Sequence, residues 1–296
     1  MNTICKFADI DIYILYFLKI KTIFILSTIT KEENELISKQ DFFKELQLLR
    51  QKQKINKYNI IDEASQYGYI SILDWMDKSV CNFIHSRLAI ENAAHNGKIE
   101  VLEWFANSKY EFMYTNYAIE YAAYNGHINI LDWFANSKYE FKYTSDAIDN
   151  ASSNKQIEVL EWFANSKYEF KYSEYAIDYA AGNGHIEVLE WFANSKYEFI
   201  YTDDSVDCAA DYGHINVLEW FDKSKYEFKY SDWAIDNALM DRRLEILKWF
   251  DESKYEIIYR EKNIKYVLET DCTDIYDYLV GSNSRIIKIL DQYEKK

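Results

Sequence analysis

The chain has 296 residues without a single proline, and only seven of them are glycine. With Ile, Asn, Lys and Tyr abundant, the missing proline points to an AT-rich gene and carries no functional message. Cysteine is sparse too. Cys5, Cys81, Cys208 and Cys272 stand far apart with no paired spacing, which argues against a disulfide framework or a zinc ribbon and fits a reducing, cytoplasmic compartment. Basic residues are outnumbered, 34 Lys and Arg against 49 Asp and Glu, for a formal net charge of -15. Such a charge repels phosphate backbones, so nucleic acid is not an expected partner, whereas a protein bearing a basic patch is. Long apolar runs are also missing. Residues 10–29 are mostly apolar, but Asp11, Lys19 and Lys21 interrupt them, leaving no stretch of about 18 uncharged apolar residues to cross a bilayer. The segment reads as a buried cap, with an uncleaved membrane anchor as the rival reading; no small-residue cleavage site follows to mark a signal peptide. There is no G-x-S-x-G, no phosphate-cradling glycine loop and no HExxH, so no enzyme activity, cofactor or metal is expected.

What is present is a period. Trp75, Trp104, Trp133, Trp162, Trp191, Trp220 and Trp249 recur every 29 residues, and a fixed period in this range marks a chain of stacked, similar units. The units can be cut at Lys57, Ser86, Thr115, Thr144, Ser173, Thr202, Ser231 and Arg260, so eight repeats fill residues 57–288, with Tyr278 in the tryptophan slot of the last. Residues 1–56 form an N-terminal segment in which 38–54 read as a polar, amphipathic lead-in helix. Residues 289–296 are a capping tail, with Ile286, Ile287 and Leu290 covering the end of the array. The expected fold is an all-α solenoid of helix-turn-helix repeats in one elongated domain, stabilised as a sum over neighbouring units.

Each unit predicts two helices. In residues 144–172, Thr144 or Ser145 can accept a hydrogen bond from the first free backbone N–H groups, and Ala147, Ile148, Ala151 and Ser152 line a small-residue face suited to close stacking. Glycine follows at Gly68, Gly97, Gly126, Gly184 and Gly213, where a tight turn with positive φ is needed; Lys155, Arg242 and Asp271 break the pattern. The second helix, His127 to Asn136 in one unit, carries Ile128, Ile130, Leu131, Trp133 and Phe134 around most of its girth, with Asn129 and Asp132 in a narrow polar strip. At this spacing the tryptophans read as core rather than as an aromatic cage. Tyr139-Glu140-Phe141-Lys142-Tyr143 alternates strictly and reads as an extended linker.

Residues 176–192, Ala-Ile-Asp-Tyr-Ala-Ala-Gly-Asn-Gly-His-Ile-Glu-Val-Leu-Glu-Trp-Phe, resemble the core of an ankyrin repeat, with its T-P-L-H-x-A-A, G-H and V-V-x-L-L pattern. The resemblance spans all eight units and is nearest to the tryptophan-rich, proline-free ankyrin-like repeats of amoeba-infecting giant DNA viruses. Three departures stand out. The Thr-Pro is absent, the period is shorter than the usual 33 residues or so, and the family's histidine is replaced by Asp62, Glu91, Glu120, Asp149, Asp178, Asp207 and Asp236. The glycine that normally follows the second helix is also missing, so Asn136-Ser137-Lys138 is expected to close it with Asn or Ser in a left-handed conformation.

The acidic column is not a catalytic arrangement: rungs one helix apart stand roughly 10 Å from each other, while paired glycosidase carboxylates need about 5–9.5 Å and a cleft. It reads instead as a capping or solvated column. His127, His185 and His214 share one slot at the start of the second helix and, again at roughly 10 Å spacing, are too far apart for a shared metal ion. The lysine column Lys109, Lys138, Lys167, Lys196, Lys225 and Lys254, with glutamates two residues on, reads as solubilising.

Variation between units is concentrated on the first helix, opposite its small face. There the sequence reads Leu88, Asn92, His95; Tyr117, Tyr121, Tyr124; Asp146, Asn150, Ser153; Tyr175, Tyr179, Gly182; Asp204, Cys208, Asp211; and Trp233, Asn237, Met240. In ankyrin proteins the corresponding inner face binds partners, so the resemblance implies a protein interface here, and Tyr and Trp suit one by offering large, rigid contact area. The expected function is a non-enzymatic protein-interaction scaffold binding a host or viral protein; a membrane-tethered or virion structural spacer is the alternative.

Overall fold

The computed structural model describes residues 60–78 and 83–257, together with the single residues Lys44, Leu48, Arg260, Ile275, Asp277 and Tyr278. The chain is all-α. Among the described residues there are 14 helices and no strand, and the chain divides into two compact units, Met1–Tyr143 and Thr144–Lys296, cut at a repeat boundary. The first unit contains α1 (Ile60–Tyr67), α2 (Ile70–Lys78), α3 (Leu88–His95), α4 (Ile99–Asn107), α5 (Tyr117–Tyr124) and α6 (Ile128–Asn136). The second contains α7 (Asp146–Ser153), α8 (Ile157–Asn165), α9 (Tyr175–Gly182), α10 (Ile186–Asn194), α11 (Asp204–Tyr212), α12 (Ile215–Lys223), α13 (Asp232–Met240) and α14 (Leu244–Glu252).

Odd-numbered helices are the first of each repeat and even-numbered ones the second. Within a unit each first helix packs on its own second helix and on the first helix of the next repeat, and second helices pack on second helices. This is a helix-pair solenoid pattern. Small side chains make the first-helix contacts possible: Ala118, Ile119, Ala122 and Ala123 of α5 are all fully buried. On α6 Ile130, Leu131 and Phe134 are buried while Asn129 and Asp132 stay exposed, as the periodicity predicts. The lead-in helix (save Lys44 and Leu48), the segment 10–29 with its rival membrane reading, and the C-terminal cap lie outside the described residues. So does most of the eighth repeat, although Ile275 is buried and the Tyr278 hydroxyl donates to Asp251 Oδ2 at 2.9 Å. Among the described residues no helix is long and apolar enough to cross a membrane.

The second helices end differently from expectation. Ser137 is extended, with φ -83° and ψ 172°, and no left-handed residue closes α6. Its side chain does the capping: the hydroxyl donates to the Phe134 carbonyl at 3.0 Å and accepts from the Tyr139 N–H at 3.1 Å. Ser108, Ser166, Ser195, Ser224 and Ser253 repeat the pattern, satisfying a free helix-end carbonyl without any need for glycine.

The turn between helices does use positive φ. Gly97 and Gly184 have φ of 67° and 75°, and a Cβ there would also approach the ring of the next repeat's histidine, His127 or His214, to within 3.0 and 2.7 Å. Lys155 and Arg242 take the same turn at φ 55° and 58°, a conformation costing an L-residue about 1–2 kcal/mol. Lys155→Gly is therefore expected to stabilise the chain by about 0.5–1 kcal/mol, because the exposed ion pair that it removes, Lys155 with Glu187 at 2.7 Å, contributes little. A urea midpoint that falls would show the left-handed lysine to be unstrained.

Linker side chains alternate as expected, with Tyr139, Phe141 and Tyr143 half-buried and Glu140 and Lys142 exposed, but the backbone is not fully extended: the Lys142 N–H donates to the Glu140 carbonyl at 3.1 Å, closing a tight turn around Phe141. Within each unit the linkers carry an aromatic clamp, built on Phe83 and Phe112 in the first and on Phe170, Phe199 and Phe228 in the second. Phe170 stacks on Tyr197 at 3.9 Å and on Trp191 at 5.6 Å, and the Tyr172 hydroxyl donates to the Glu198 carbonyl of the next linker at 2.7 Å. The reading of the tryptophans as core needs correction here: they are half-buried, and the large side chain that each second helix encloses is the next residue, Met76 in α2 and Phe105 to Phe250 in α4 to α14.

Candidate functional site

The first helices are fixed by a ladder of buried carboxylates. Asp149 accepts from the Ser173 N–H at 2.9 Å and from the Ser173 hydroxyl at 2.7 Å, and that hydroxyl in turn accepts from the Tyr175 N–H at 3.3 Å. Asp62 with Ser86, Glu91 with Thr115, Asp178 with Thr202 and Asp207 with Ser231 repeat the relay. In these five helices, α3, α5, α9, α11 and α13, the expected hydroxyl opens the helix, and a carboxylate of the preceding repeat holds it there. The column is thus a capping device, buried rather than solvated. Burial pushes the Asp149 and Asp178 carboxyls upward and Asp207 to about 6, against the donated hydrogen bonds.

The shared histidine slot makes a second tie. His127 Nε2 lies 3.1 Å from the His95 carbonyl oxygen, and Arg243, in the same slot, donates through Nε to the Asp211 carbonyl at 2.8 Å. Burial lowers the pKa of His127, His185 and His214, favouring the neutral ring. These side chains therefore act as repeat-to-repeat connectors.

With the small face packed and the ends capped, the opposite face of the first helices is left to solvent. In the first unit Leu88, Tyr117, Tyr121 and Tyr124 are exposed, and Asn92 and His95 are half-buried. Tyr117 and Tyr121 stack with centroids 5.5 Å apart, and His95 meets Tyr121 edge-on at 5.2 Å. Asn125 Nδ2 stands 3.2 Å from His95 Nδ1 and donates to the Tyr121 carbonyl at 2.9 Å. The result is a locked aromatic surface across α3 and α5.

In the second unit Asp146, Tyr175, Tyr179, Asp204, Trp233 and Met240 are exposed, while Asn150, Ser153, Cys208, Asp211 and Asn237 are half-buried. Tyr175 and Tyr179 stack at 5.1 Å and 12°, each 46% exposed. Gly182, counted among the varied positions, is buried; a Cβ there would lie 2.9 Å from the Cys208 Cβ, so it serves close packing and not the surface. Burial raises the Cys208 thiol to about 11, leaving it protonated and unreactive. Tyr212, 58% exposed, is a surface residue that the i, i+4, i+7 frame omits. It stands in the slot that Asn96, Asn125, Asn154 and Asn183 fill in other repeats, and α11 runs one residue longer than α9 to include it. A scan against protein-family models matches none, and no curated protein matches the chain.

Proposed function

We propose that the chain is a non-enzymatic, ankyrin-like scaffold that binds a protein partner along the varied first-helix face, in the cytoplasm of the host cell if its source is viral. One observation carries the reading: large aromatic side chains stand exposed at positions that stacking, capping and turns do not use. Tyr117, Tyr121 and Tyr124 on one surface, and Tyr175, Tyr179 and Trp233 on the other, are 38–57% exposed. Rigid stacked tyrosines lose little entropy on contact, which suits an interface. The described buried carboxylates and the histidines of the shared slot, by contrast, are engaged in holding repeats together.

Changing Tyr117, Tyr121 and Tyr124 together to Ser is expected to leave helicity intact and shift stability by no more than about 1 kcal/mol, as for surface substitutions generally. Capture of the partner from native cells should fall about tenfold or more, the loss typical of an interface centre. Equal loss of folding and capture, or capture that is unchanged, contradicts the proposal.

A further inference from the structure

Charge is partitioned within the repeat. None of the seven described first helices carries a lysine or arginine, and every one carries Asp or Glu. Most of these carboxylates are consumed by the buried ladder, but in the second unit Asp146 and Asp204 face solvent. The stacked Tyr175–Tyr179 pair lies close enough to the carboxylates to feel them: burial first, then Tyr175 and Asp149, Asp146 and Asp178 raise the Tyr179 phenol. Asp204 acts on the neighbouring Asp178 and Cys208 in the same way. The face is an aromatic platform in a field of one sign.

The chain already seats a cation on such a platform. Arg260 replaces the Ser or Thr that opens the six preceding units, and its guanidinium lies over Trp233, 5.7 Å from the ring centroid. Its Nε sits 3.0 Å from Asp232 Oδ2 and 2.6 Å from Asp236 Oδ2. Aromatic ring plus paired carboxylates is the combination that attracts a guanidinium or ammonium. Lysines also lie over linker tyrosines, Lys229 above Tyr201 at 4.3 Å.

We propose that the α7–α9–α11 face takes an extended, arginine- and lysine-rich segment of a protein partner, its cations lying over the Tyr175–Tyr179 stack and pairing with Asp146 and Asp204. The proposal rests on the protein-binding reading above and narrows it to one chemistry. The periodic lysine and glutamate columns of the linkers offer no such segregation, since both signs alternate there.

The test uses the full chain and a short fluorescent peptide of alternating arginine and serine, with a citrulline-for-arginine peptide as the uncharged control, in about 0.15 M salt to screen exposed long-range attraction. Binding of the arginine peptide and not the citrulline peptide is expected. Tyr175→Ser with Tyr179→Ser, and separately Asp146→Asn with Asp204→Asn, should each weaken it about tenfold. A control with the same charge change on the linkers, Glu169→Gln with Glu198→Gln, should stay within about twofold. Equal weakening by the linker variant would reduce the effect to net charge and overturn the proposal, as would absence of binding or equal binding of citrulline peptide. Unfolding midpoints of all variants confirm that each is folded. If the peptide fails while partner capture still depends on the tyrosines, the protein-binding reading stands and the basic-segment chemistry falls.

Discussion

Phe192→Ala is expected to destabilise the second unit by about 3–5 kcal/mol, the range for truncating a fully enclosed large aromatic. Phe192 is 1% exposed and is approached by Phe170 at 6.1 Å and Tyr172 at 5.3 Å, so little can collapse into the space it leaves. Trp191→Ala, although it removes the larger side chain and the residue that defines the repeat, is expected to cost about 1–2 kcal/mol. Trp191 is half-buried, and without it Phe170 keeps its 3.9 Å stack on Tyr197. Because stability in a stacked array is a sum over neighbours, Phe192→Ala should also broaden or split the urea transition. Equal losses for the two variants would return the tryptophan to the core.

The second large effect is expected at Asp178. Its carboxylate accepts from the Thr202 N–H at 3.0 Å, from the Thr202 hydroxyl at 2.7 Å and from the Ser205 hydroxyl. Asp178→Ala strands these buried donors, at a cost of about 2–4 kcal/mol. Chemical denaturation measures it directly, and a loss under about 0.5 kcal/mol would mean that the ladder caps nothing.

The ladder also has a pH signature. Asp207 titrates near 6 in the folded chain against 3.8 unfolded, so between these values the folded state binds more protons and the stability contributed by Asp207 falls as pH rises. The histidines oppose this, since their depressed values make the unfolded chain the better proton binder below about 6.5. A difference measurement isolates Asp207. In Asp207→Asn the side-chain oxygen can still accept from the Ser231 N–H, but nothing titrates, so wild type should gain on the variant by about 2 kcal/mol between pH 7 and pH 4. A pH-independent difference would contradict the shifted carboxyl.

Helix pairs, the turn glycines and the Ser/Thr caps were all legible in the sequence, because each has a local cause: helical spacing, a required positive φ, a hydroxyl at a helix start. The misreadings share a different cause. Trp191 and Phe192 are adjacent on one helix, about 100° apart, and both are apolar; only the linker packed against them decides which is enclosed. Ser137 gave no sign that its hydroxyl would substitute for a left-handed residue. The depth of the acidic ladder depends on a serine or threonine 24 residues away, a partnership visible only once repeats are stacked. Gly182 stood in a varied column but owes its identity to Cys208 in the next helix. The exposed aromatic face was readable as variation, whereas the Tyr175–Tyr179 stack and the Arg260–Trp233 pair depend on side-chain placement that no local pattern specifies.

The most direct test of the binding face is hydroxyl-radical footprinting of the full chain, comparing the purified protein with the same protein inside its native cells. Protection in cells is expected at Tyr117, Tyr121, Tyr124, Tyr175, Tyr179 and Trp233, with the linker residues Tyr139, Tyr168 and Tyr197 unchanged. Protection that spares the first-helix aromatics, or falls evenly on both sets, would contradict a partner-binding face on the first helices.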